Sequence, residues 1–236
     1  MAHPSSGIRL SCKRMTAPCF FSIGHSTHEF AIFVKLLQSA GVTAIADVRS
    51  HPFSRWHPQF NQKSLQAGLQ SCQIVYAFLG DQLGGRPDSL ELYDADGRVN
   101  YERMRATETF NHGIDRLCLA VAQYKVAILC SEEDPIVCHR GLMVSPALIE
   151  RGVTPVHLRA DGTFETTTDF EARLLAETKV AKCFGDGLFG TSQAEENRRR
   201  LLAEAYRLQA RRKAFRLRVD KESSGKSQAD KENFRK

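Results

Sequence analysis

The segment CFFSIGHSTHEFAIFVKLLQSAGVTAIADVR, residues 19–49, decides the fold class. Its apolar first residues end at Gly24, which is typical of a buried strand that runs into a loop. Apolar residues then recur at helical spacing up to Gly41, and Thr27 is predicted to cap that helix. Residues 42–48 follow as a second strand. A strand–helix–strand unit of this kind makes two parallel strands with a right-handed crossover.

Strands and helices continue to alternate along the chain. Further strands are predicted at residues 74–79, 125–130 and 155–158. A long helix is expected over residues 101–123 with a break near 111–113, and residues 162–167 are expected to form an edge hairpin arm. The predicted fold class is therefore α/β. We expect a doubly wound, mostly parallel sheet of about five strands with helices on both faces, plus a C-terminal helical basic tail.

Composition and charge divide the chain into segments. We expect a flexible leader over residues 1–18, an α/β domain over 19–168, a linker with a short helix over 169–190, and a basic helical or disordered tail over 191–236. Lys and Arg outnumber Asp and Glu by 33 to 27 in the whole chain and by 14 to 7 in the tail. The positive charge therefore belongs to the tail, and the predicted domain lacks a uniformly basic nucleic-acid-binding face.

The expected compartment follows from hydropathy and cysteine usage. No apolar run is long enough to cross a membrane, and the first residues lack the apolar core of a secretory signal. The seven cysteines are scattered, and no two of them form a C-x-x-C pair. This pattern argues against a disulfide framework, a zinc ribbon and a thioredoxin-type motif. We therefore expect a reduced, cytoplasmic protein with no membrane partner.

Polar residues gather where the predicted strands end. In an open parallel sheet, ligands bind beyond the carboxyl ends of the strands, because loops converge there and helix N-termini point inward. Four clusters lie at such ends: Gly24-His25-Ser26, Asp47-Val48-Arg49, Gly84-Gly85-Arg86 and the loop Cys130–Arg140. Together they predict one polar site at this edge of the sheet.

The residue types in these clusters predict their roles. Imidazole, carboxylate and thiol groups move protons or attack electrophiles, so the candidate catalytic residues are His25, Glu132, Cys138 and His139. Guanidinium and exposed backbone N–H groups bind anions, so the candidate substrate-binding residues are Gly24, Ser26, Arg49, Arg55, Gly84, Gly85 and Arg140. Asp47 is expected to position Arg49. Cys130 is expected to support the site, because a cysteine that ends a buried strand is more often a small core residue than a nucleophile.

Structural alternatives accompany these roles. His25 or His139 can simply hydrogen-bond a backbone carbonyl, and neighbouring arginines often form surface salt bridges. His28, His51 and His57 could join Cys138 or His139 around a metal ion, but the spacing of these residues fits no zinc pattern. We therefore assign no metal ligand and no cofactor, and a divalent metal is left as an unsupported alternative.

Four motifs carry a resemblance to a known family. They are SIGHST at residues 22–27, ADVRSHPFSR at 46–55, FLGDQLGGR at 78–86 and LCSEEDPIVCHR at 129–140. In this order and spacing they resemble domain-of-unknown-function family 488 over about residues 19–168. The resemblance marks motif positions without implying a reaction: Gly24, His25, Ser26, Asp47, Arg49, Pro52, Ser54, Gly84, Gly85, Cys130, Glu132, Cys138, His139 and Arg140. One departure is Pro146, which predicts a short capped first turn or a kink in the helix after Arg140.

A second likeness is weaker. The DVR strand end and the cysteine loop before a helix are similar to rhodanese-like sulfurtransferases and cysteine phosphatases, which hold an anion between one cysteine and a closing arginine. Here the interval from Cys130 to Arg140 is too long for that loop, and Cys138 is too close to Arg140. This likeness is an analogy of architecture only.

Three functions are consistent with the sequence. The first is an enzyme that acts on a phosphate-bearing substrate such as a nucleotide or a nucleic-acid component. The second is a cysteine-dependent enzyme of thiol or sulfur-transfer chemistry, with Cys138 or Cys130 as the nucleophile. The third is a non-catalytic nucleotide- or DNA-binding module, in which the basic tail contacts nucleic acid. We rank the first highest, because binding alone rarely needs His, Cys and Glu so close to arginines. The expected partner is accordingly a small anionic substrate.

Overall fold

The computed structural model describes residues 20–180 and 191–217. The predicted leader, the second part of the predicted linker and the end of the predicted tail lie outside the described residues. The strands are β1 Phe20–Gly24, β2 Ala44–Asp47, β3 Val75–Phe78, β4 Val126–Cys130, β5 Pro155–Leu158 and β6 Phe164–Thr166. The helices are α1 Phe30–Ser39, α2 Gln62–Ser71, α3 Gly80–Leu83, α4 Tyr101–Ala106, α5 Glu108–Val121, α6 Ser145–Glu150, α7 Thr167–Thr178 and α8 Thr191–Lys213. Short 3-10 turns and one π-helical turn connect some of these elements.

The strands form one sheet in the order β3-β2-β4-β1-β5-β6. The first five strands along the chain are parallel, and β6 pairs antiparallel with β5 at one edge. The predicted α/β class with a mostly parallel sheet is confirmed. The sixth strand corresponds to the edge arm expected at residues 162–167.

Helices cover both faces of the sheet. Successive side chains of a strand point to opposite faces, so the apolar side chains of one strand are buried in two separate clusters. Phe21 and Ile23 of β1 belong to the hydrophobic cluster that contains residues of α1 and α2. Phe20 belongs to a second cluster, which contains residues of α4, α5, α6, α7 and α8. This two-sided burial explains why β1 and β4 consist almost entirely of apolar residues.

The first helix begins later than the sequence suggested. Its N-cap is Glu29, so the prediction of Thr27 as the cap is wrong. The residues before the helix make other bonds: His28 N donates to His25 O, and Ser26 N donates to Ser131 O. Ser26 adopts a left-handed backbone with φ of 47°. The residues between β1 and α1 are therefore hydrogen-bonded to the loop after β4.

The expected break in the long helix lies at Thr107 and not at residues 111–113. Thr107 ends α4 and caps α5, since its hydroxyl accepts a hydrogen bond from Phe110 N. Gly113 lies inside α5, where a Cβ atom would stand 2.7 Å from the Leu83 side chain. Gly113 thus serves the close packing of α3 on α5 and does not interrupt the helix.

The helix after the cysteine loop starts with the π-helical turn Arg140–Val144 and continues as α6. Pro146 stands in the first turn of α6, where a missing N–H disturbs least. The Ser145 hydroxyl donates to Arg140 O at 2.7 Å across the junction. The irregularity predicted from Pro146 is therefore a change of helix type.

Helix α8 packs on the rest of the described chain. Ala205 and Gln209 are fully buried, and Gln209 Nε2 donates to Ile136 O at 3.1 Å. After α8 the chain reaches back to the connection between α3 and α4, where Val99 N donates to Phe215 O. None of the helices in the described ranges has both the length and the apolar character that crossing a bilayer requires.

Candidate functional site

A cleft of about 410 Å³ opens at the carboxyl edge of the parallel strands. The loops after β2 and β4, the segment after α3, the start of α4 and the segment around the end of α8 contribute to its walls. The side chains and backbone that line it belong to Arg49, Ser50, His51, Phe53, Gly85, Arg86, Tyr101, Cys130, Ser131, Glu132, Val137, Cys138, His139, Lys213 and Phe215. The cleft therefore lies where the strand-end clusters predicted a site.

Two thiols, a carboxylate and an imidazole meet at one wall of the cleft. The Cys130 and Cys138 thiols both donate to Glu132 Oε2, at 2.9 and 3.2 Å. His139 Nδ1 lies 3.6 Å from Cys130 Sγ and 3.9 Å from Cys138 Sγ. We call Cys130, Glu132, Cys138 and His139 the thiol cluster. All four were predicted as site residues, Cys130 as support.

Arg140 anchors the loop between the two cysteines through hydrogen bonds to its backbone. Its Nη1 and Nη2 atoms donate to the carbonyl oxygens of Glu132 and Glu133, each at 2.6 Å. Its Nε lies 3.4 Å from the Ser22 hydroxyl, which pairs with His157 Nδ1 at 2.6 Å. The guanidinium is fully buried. Arg140 thus fixes the loop that carries Glu132 and does not stand in the cleft lining.

The end of β1 closes against the same loop. A Cβ atom on Gly24 would come within 1.7 Å of Glu132 O, so only glycine allows this approach. His25 N donates to Cys130 O at 3.0 Å. The His25 ring stacks on Phe60 at 4.3 Å, and its Nδ1 bonds to Ser26 O. These residues position the thiol cluster from behind.

Two buried histidines are neutral at physiological pH. Burial first and the Arg49 charge second lower the pKa of His25 to about 4. Burial first and the Arg140 charge second lower the pKa of His157 to about 3. A histidine with such a pKa is a poor proton shuttle near pH 7.

Arg49 reaches the cleft from the end of β2 and is fixed by Asp47. Its Nε and Nη2 atoms donate to the two carboxylate oxygens of Asp47 at 2.9 and 2.6 Å. Nη2 also donates to Phe60 O, and the Tyr76 hydroxyl donates to Asp47 Oδ2. The bidentate pair is buried. Asp47 therefore holds the Arg49 guanidinium in place, and the part of this pair in a functional site stays a prediction.

The two thiols of the cluster differ in the direction of their pKa shifts. Burial and the Cys138 neighbour raise the pKa of the Cys130 thiol well above its usual value. Burial would also raise the pKa of Cys138, but the Cys130 hydrogen bond and the Arg140 charge outweigh it and hold this pKa well below its usual value. Burial would lower the pKa of His139, whereas the hydrogen bond and charge of Cys138 raise it. The pKa values of the two thiols are therefore shifted in opposite directions.

Gly85 makes room for the His139 ring. A Cβ atom at this position would lie 2.9 Å from His139 Cγ and 3.1 Å from Nδ1. The ring is held on its other side, since His139 Nε2 pairs with Val48 O at 2.9 Å. Gly84 packs in the same way against the Ser50 hydroxyl. Both glycines allow close packing of the site, and their predicted contact with a ligand stays a prediction.

The cleft also contains cationic and aromatic residues that were not among the predicted site residues. Arg86 follows the predicted pair of glycines, and its guanidinium lies 4.6 Å from the centre of the Phe215 ring. Lys213 is the last residue of α8, and Phe215 follows two residues later. The strand-end cluster could have pointed to Arg86. No local signal could have pointed to Lys213 or Phe215, because they reach the cleft only through the packing of α8.

The predicted site residues fall into two groups. Those in the cleft lining are Arg49, Gly85, Cys130, Glu132, Cys138 and His139. Those elsewhere are Gly24, His25, Ser26, Asp47, Arg55, Gly84 and Arg140, and most of these contact the backbone of the site from behind. Arg55 is exposed on the loop before α2. Its predicted contact with a substrate stays a prediction.

Comparisons with known proteins give one finding. The protein-family model described as "Domain of unknown function DUF488" matches residues 30–145. This range includes β2, β3, β4 and the whole thiol cluster, and it begins after the motif at residues 22–27. No curated protein and no solved structure gives a significant match to the chain.

Proposed function

Over residues 30–145 the chain belongs to the DUF488 family, and from this premise we propose that it is an enzyme acting on a phosphate-bearing substrate in the cleft. The observation that supports the proposal is the lining itself. Cationic side chains, Arg86 and Lys213, share one cleft with a carboxylate and the rest of the thiol cluster. Anion-binding groups beside proton-transfer groups are typical of hydrolases and transferases that act on anionic substrates.

The substrate-binding part of the proposal rests on Arg86 and Lys213. Arg49 lines the cleft as well, but its guanidinium is already paired with Asp47. Arg86 is exposed, and the Phe215 ring beneath its guanidinium limits its freedom. Two cations in one cleft suit the oxygens of a phosphate group. The aromatic rings of Phe53 and Phe215 offer faces for a base or sugar, which favours a nucleotide or a nucleic-acid component.

Glu132 carries the proposed proton transfer. It stands at the cleft with an exposed carboxylate, and its backbone is fixed by Arg140 and by the end of β1. In a hydrolase or transferase it accepts the proton of the attacking water or hydroxyl. This geometry moves the acid–base role away from His25, which lies outside the lining and is neutral near pH 7.

A second candidate is a cysteine-dependent enzyme with Cys138 as the nucleophile. The observation that favours it is the contact of Cys138 Sγ with His139 Nδ1 at 3.9 Å, which places an imidazole beside a thiol. This candidate requires that Cys138→Ser abolishes turnover while Cys130→Ser retains it. Equal loss in both variants would rule against a lone nucleophile.

The compartment and the partners form part of the proposal. The cysteines of the described ranges, Cys72, Cys118, Cys130 and Cys138, are free thiols, which suits the reducing cytoplasm. A small anionic substrate or nucleotide is the expected ligand. A contact between nucleic acid and the basic residues after about 190 is retained as a further expectation, to be tested by the salt dependence of oligonucleotide binding.

The test of the proposed function is a thermal-shift screen of the purified protein. Nucleotides and sugar phosphates are compared with the matching nucleosides and sugars, so that each pair differs only by phosphate. A ligand at about 100 times its Kd stabilises the native state by about 2.7 kcal/mol. We expect shifts with phosphorylated compounds alone, and weaker shifts in Arg86→Ala and Lys213→Ala. Arg212→Ala is the matched control, because it removes an exposed charge next to Lys213 that is not in the lining.

Two results would contradict the proposal. One is the absence of any shift with phosphorylated compounds across the panel. The other is a shift that persists unchanged in both Arg86→Ala and Lys213→Ala, which would place the ligand elsewhere on the protein.

A further inference from the structure

We infer that Cys130, Cys138 and His139 form a binding site for one Zn²⁺ ion, with its open coordination position toward the cleft. The spacing of these residues along the sequence fits no zinc motif, and no metal ligand was assigned from it. The fold brings them together because Cys130 ends β4 and Cys138 follows the 3-10 turn Pro135–Val137. Their ligand atoms all lie within 4.8 Å of one another.

The distances agree with a tetrahedral zinc centre. Zn–S bonds of about 2.3 Å and Zn–N bonds of about 2.0–2.1 Å place sulfur and nitrogen about 3.6 Å apart at tetrahedral angles. His139 Nδ1 lies 3.6 Å from Cys130 Sγ and 3.9 Å from Cys138 Sγ. Only small side-chain shifts are therefore needed to place an ion between these three atoms.

The second nitrogen of His139 is arranged as in metal-binding histidines. His139 Nε2 lies 2.9 Å from Val48 O, and only an N–H can form a hydrogen bond with a carbonyl oxygen. The neutral ring therefore carries its proton on Nε2 and directs the lone pair of Nδ1 at the sulfurs. Metal-ligating histidines almost always donate their other N–H in this way, which fixes the ring and raises its basicity as a ligand.

The ligand types and their burial point to the identity and use of the ion. Thiolate and imidazole ligands favour Zn²⁺ over Mg²⁺ or Ca²⁺, which take oxygen ligands. Cys130 and Cys138 are 3% and 2% exposed, which suits ligands better than freely accessible nucleophiles. Three protein ligands leave the fourth position for water, as in catalytic zinc sites. Glu132 Oε2, within 3.2 Å of both sulfurs, would stand beside that water.

The chain outside the cluster supplies the comparison residues. Cys72 and Cys118 are partly exposed free thiols that contribute nothing to the cluster. Cys118→Ser therefore removes a thiol without touching the site. Cys130→Ser and Cys138→Ser each remove one ligand with little change in side-chain volume.

The experiment uses the full chain, freed of metal with a chelator and kept reduced with a phosphine. Co²⁺ is titrated in and followed by absorption, and Zn²⁺ is then added in competition. We expect a thiolate-to-cobalt charge-transfer band and strong four-coordinate visible bands that saturate at one ion per chain. One equivalent of Zn²⁺ should erase them. We expect Cys118→Ser to match the wild type, and Cys130→Ser and Cys138→Ser to bind at least about 100-fold more weakly.

The inference is overturned if the wild-type protein gives no charge-transfer band. It is also overturned if the band persists in both Cys130→Ser and Cys138→Ser, because the ion would then bind at other thiols. The wild-type spectrum alone decides the first outcome, so a misfolded variant cannot hide a failure. No substrate enters the titration, and its result is independent of the proposed function.

Discussion

Two buried arginines, Arg49 and Arg140, show that at the residue scale the partners of a charge decide its role. The sequence placed both at strand ends and predicted both as anion ligands. Arg140 instead donates to two loop carbonyls, and Arg49 forms a bidentate pair with Asp47. A sequence shows that a charge lies near a site. It does not show which hydrogen-bond acceptors the folded loops present to that charge.

The Asp47–Arg49 pair supports a prediction on stability. Asp47→Asn removes the charge that compensates a guanidinium only 4% exposed. Breaking a buried pair from one side costs about 3–5 kcal/mol. The matched control is Asp115→Asn, which removes half of an exposed pair with Arg151 and should cost under about 1 kcal/mol. Urea denaturation measures the free energy of unfolding of both variants. An equal loss of stability in the two would contradict the role assigned to Asp47.

Gly85 supports a prediction on activity. Gly85→Ala places a Cβ atom 2.9 Å from His139 Cγ and must displace the ring from the thiol cluster. We expect turnover to fall at least about 10-fold, since misplacing a catalytic group by about 1 Å can cost 100-fold. Gly68→Ala in α2 is the control, because the nearest atoms to its Cβ would be those at the far end of the Phe30 ring in α1. The control should lower the melting temperature and leave turnover unchanged. A Gly85→Ala variant with full turnover would contradict this role.

At the element scale, helix α8 marks the limit of what periodicity reveals. Short apolar runs predicted the five parallel strands, and apolar residues at helical spacing predicted most of the longer helices, because burial leaves these patterns in the sequence. Helix α8 is rich in Arg and Glu, and only a narrow stripe with Ala205 and Gln209 is fully buried. From its sequence, a helix with so narrow a buried stripe is hard to distinguish from a fully solvated helix. Consequently Lys213 and Phe215 could not be predicted as cleft residues.

The packing of α8 can be tested by placing a charge on its buried face. Ala205→Asp puts a carboxylate at a position with no exposed surface, and the cost of an unpaired buried charge is several kcal/mol. We expect α8 to detach or the protein to unfold more readily, and ligand binding in the cleft to weaken. Ala203→Asp, two residues away on the exposed side, should change neither. Limited proteolysis near α8 reads out detachment, and similar cleavage of both variants would contradict the packing.

At the scale of the whole molecule, the proposed function is placed at the carboxyl edge of the sheet. The sequence predicted this edge as the site because four polar clusters end there, and four of the thirteen predicted residues form the thiol cluster. The cluster's geometry could not be predicted. It depends on the 3-10 and π-helical turns between Cys130 and α6, which have no distinct sequence pattern.

The buried histidines predict how the stability of the whole protein depends on pH. The folded-state pKa values of His25 and His157, about 4 and about 3, lie below the ordinary value of 6.5. Their contribution is therefore complete above about pH 6.5 and is lost as the pH falls, because the unfolded chain takes up protons first. By pH 5, each histidine should have lowered the free energy of unfolding by about 2 kcal/mol.

The variant His157→Gln isolates one of these contributions. The stability difference between wild type and His157→Gln should narrow by about 2 kcal/mol between pH 7.5 and pH 5. His112→Gln changes an exposed histidine of α5 and should run parallel to the wild type over this range. Denaturant midpoints at each pH give the comparison. A constant difference for His157→Gln would show that this histidine does not stay neutral in the folded state.

The most direct test of the proposed function is turnover of the phosphorylated ligand that gives the largest thermal shift. Wild type and Glu132→Gln are compared, with the Kd of the ligand measured for both. We predict that the wild type converts the ligand to product and that Glu132→Gln loses about 100- to 10,000-fold in kcat with little change in Kd. A ligand that binds the wild type and stays intact with the protein in excess would make the chain a binding module. Unchanged kcat in Glu132→Gln would contradict the assigned base.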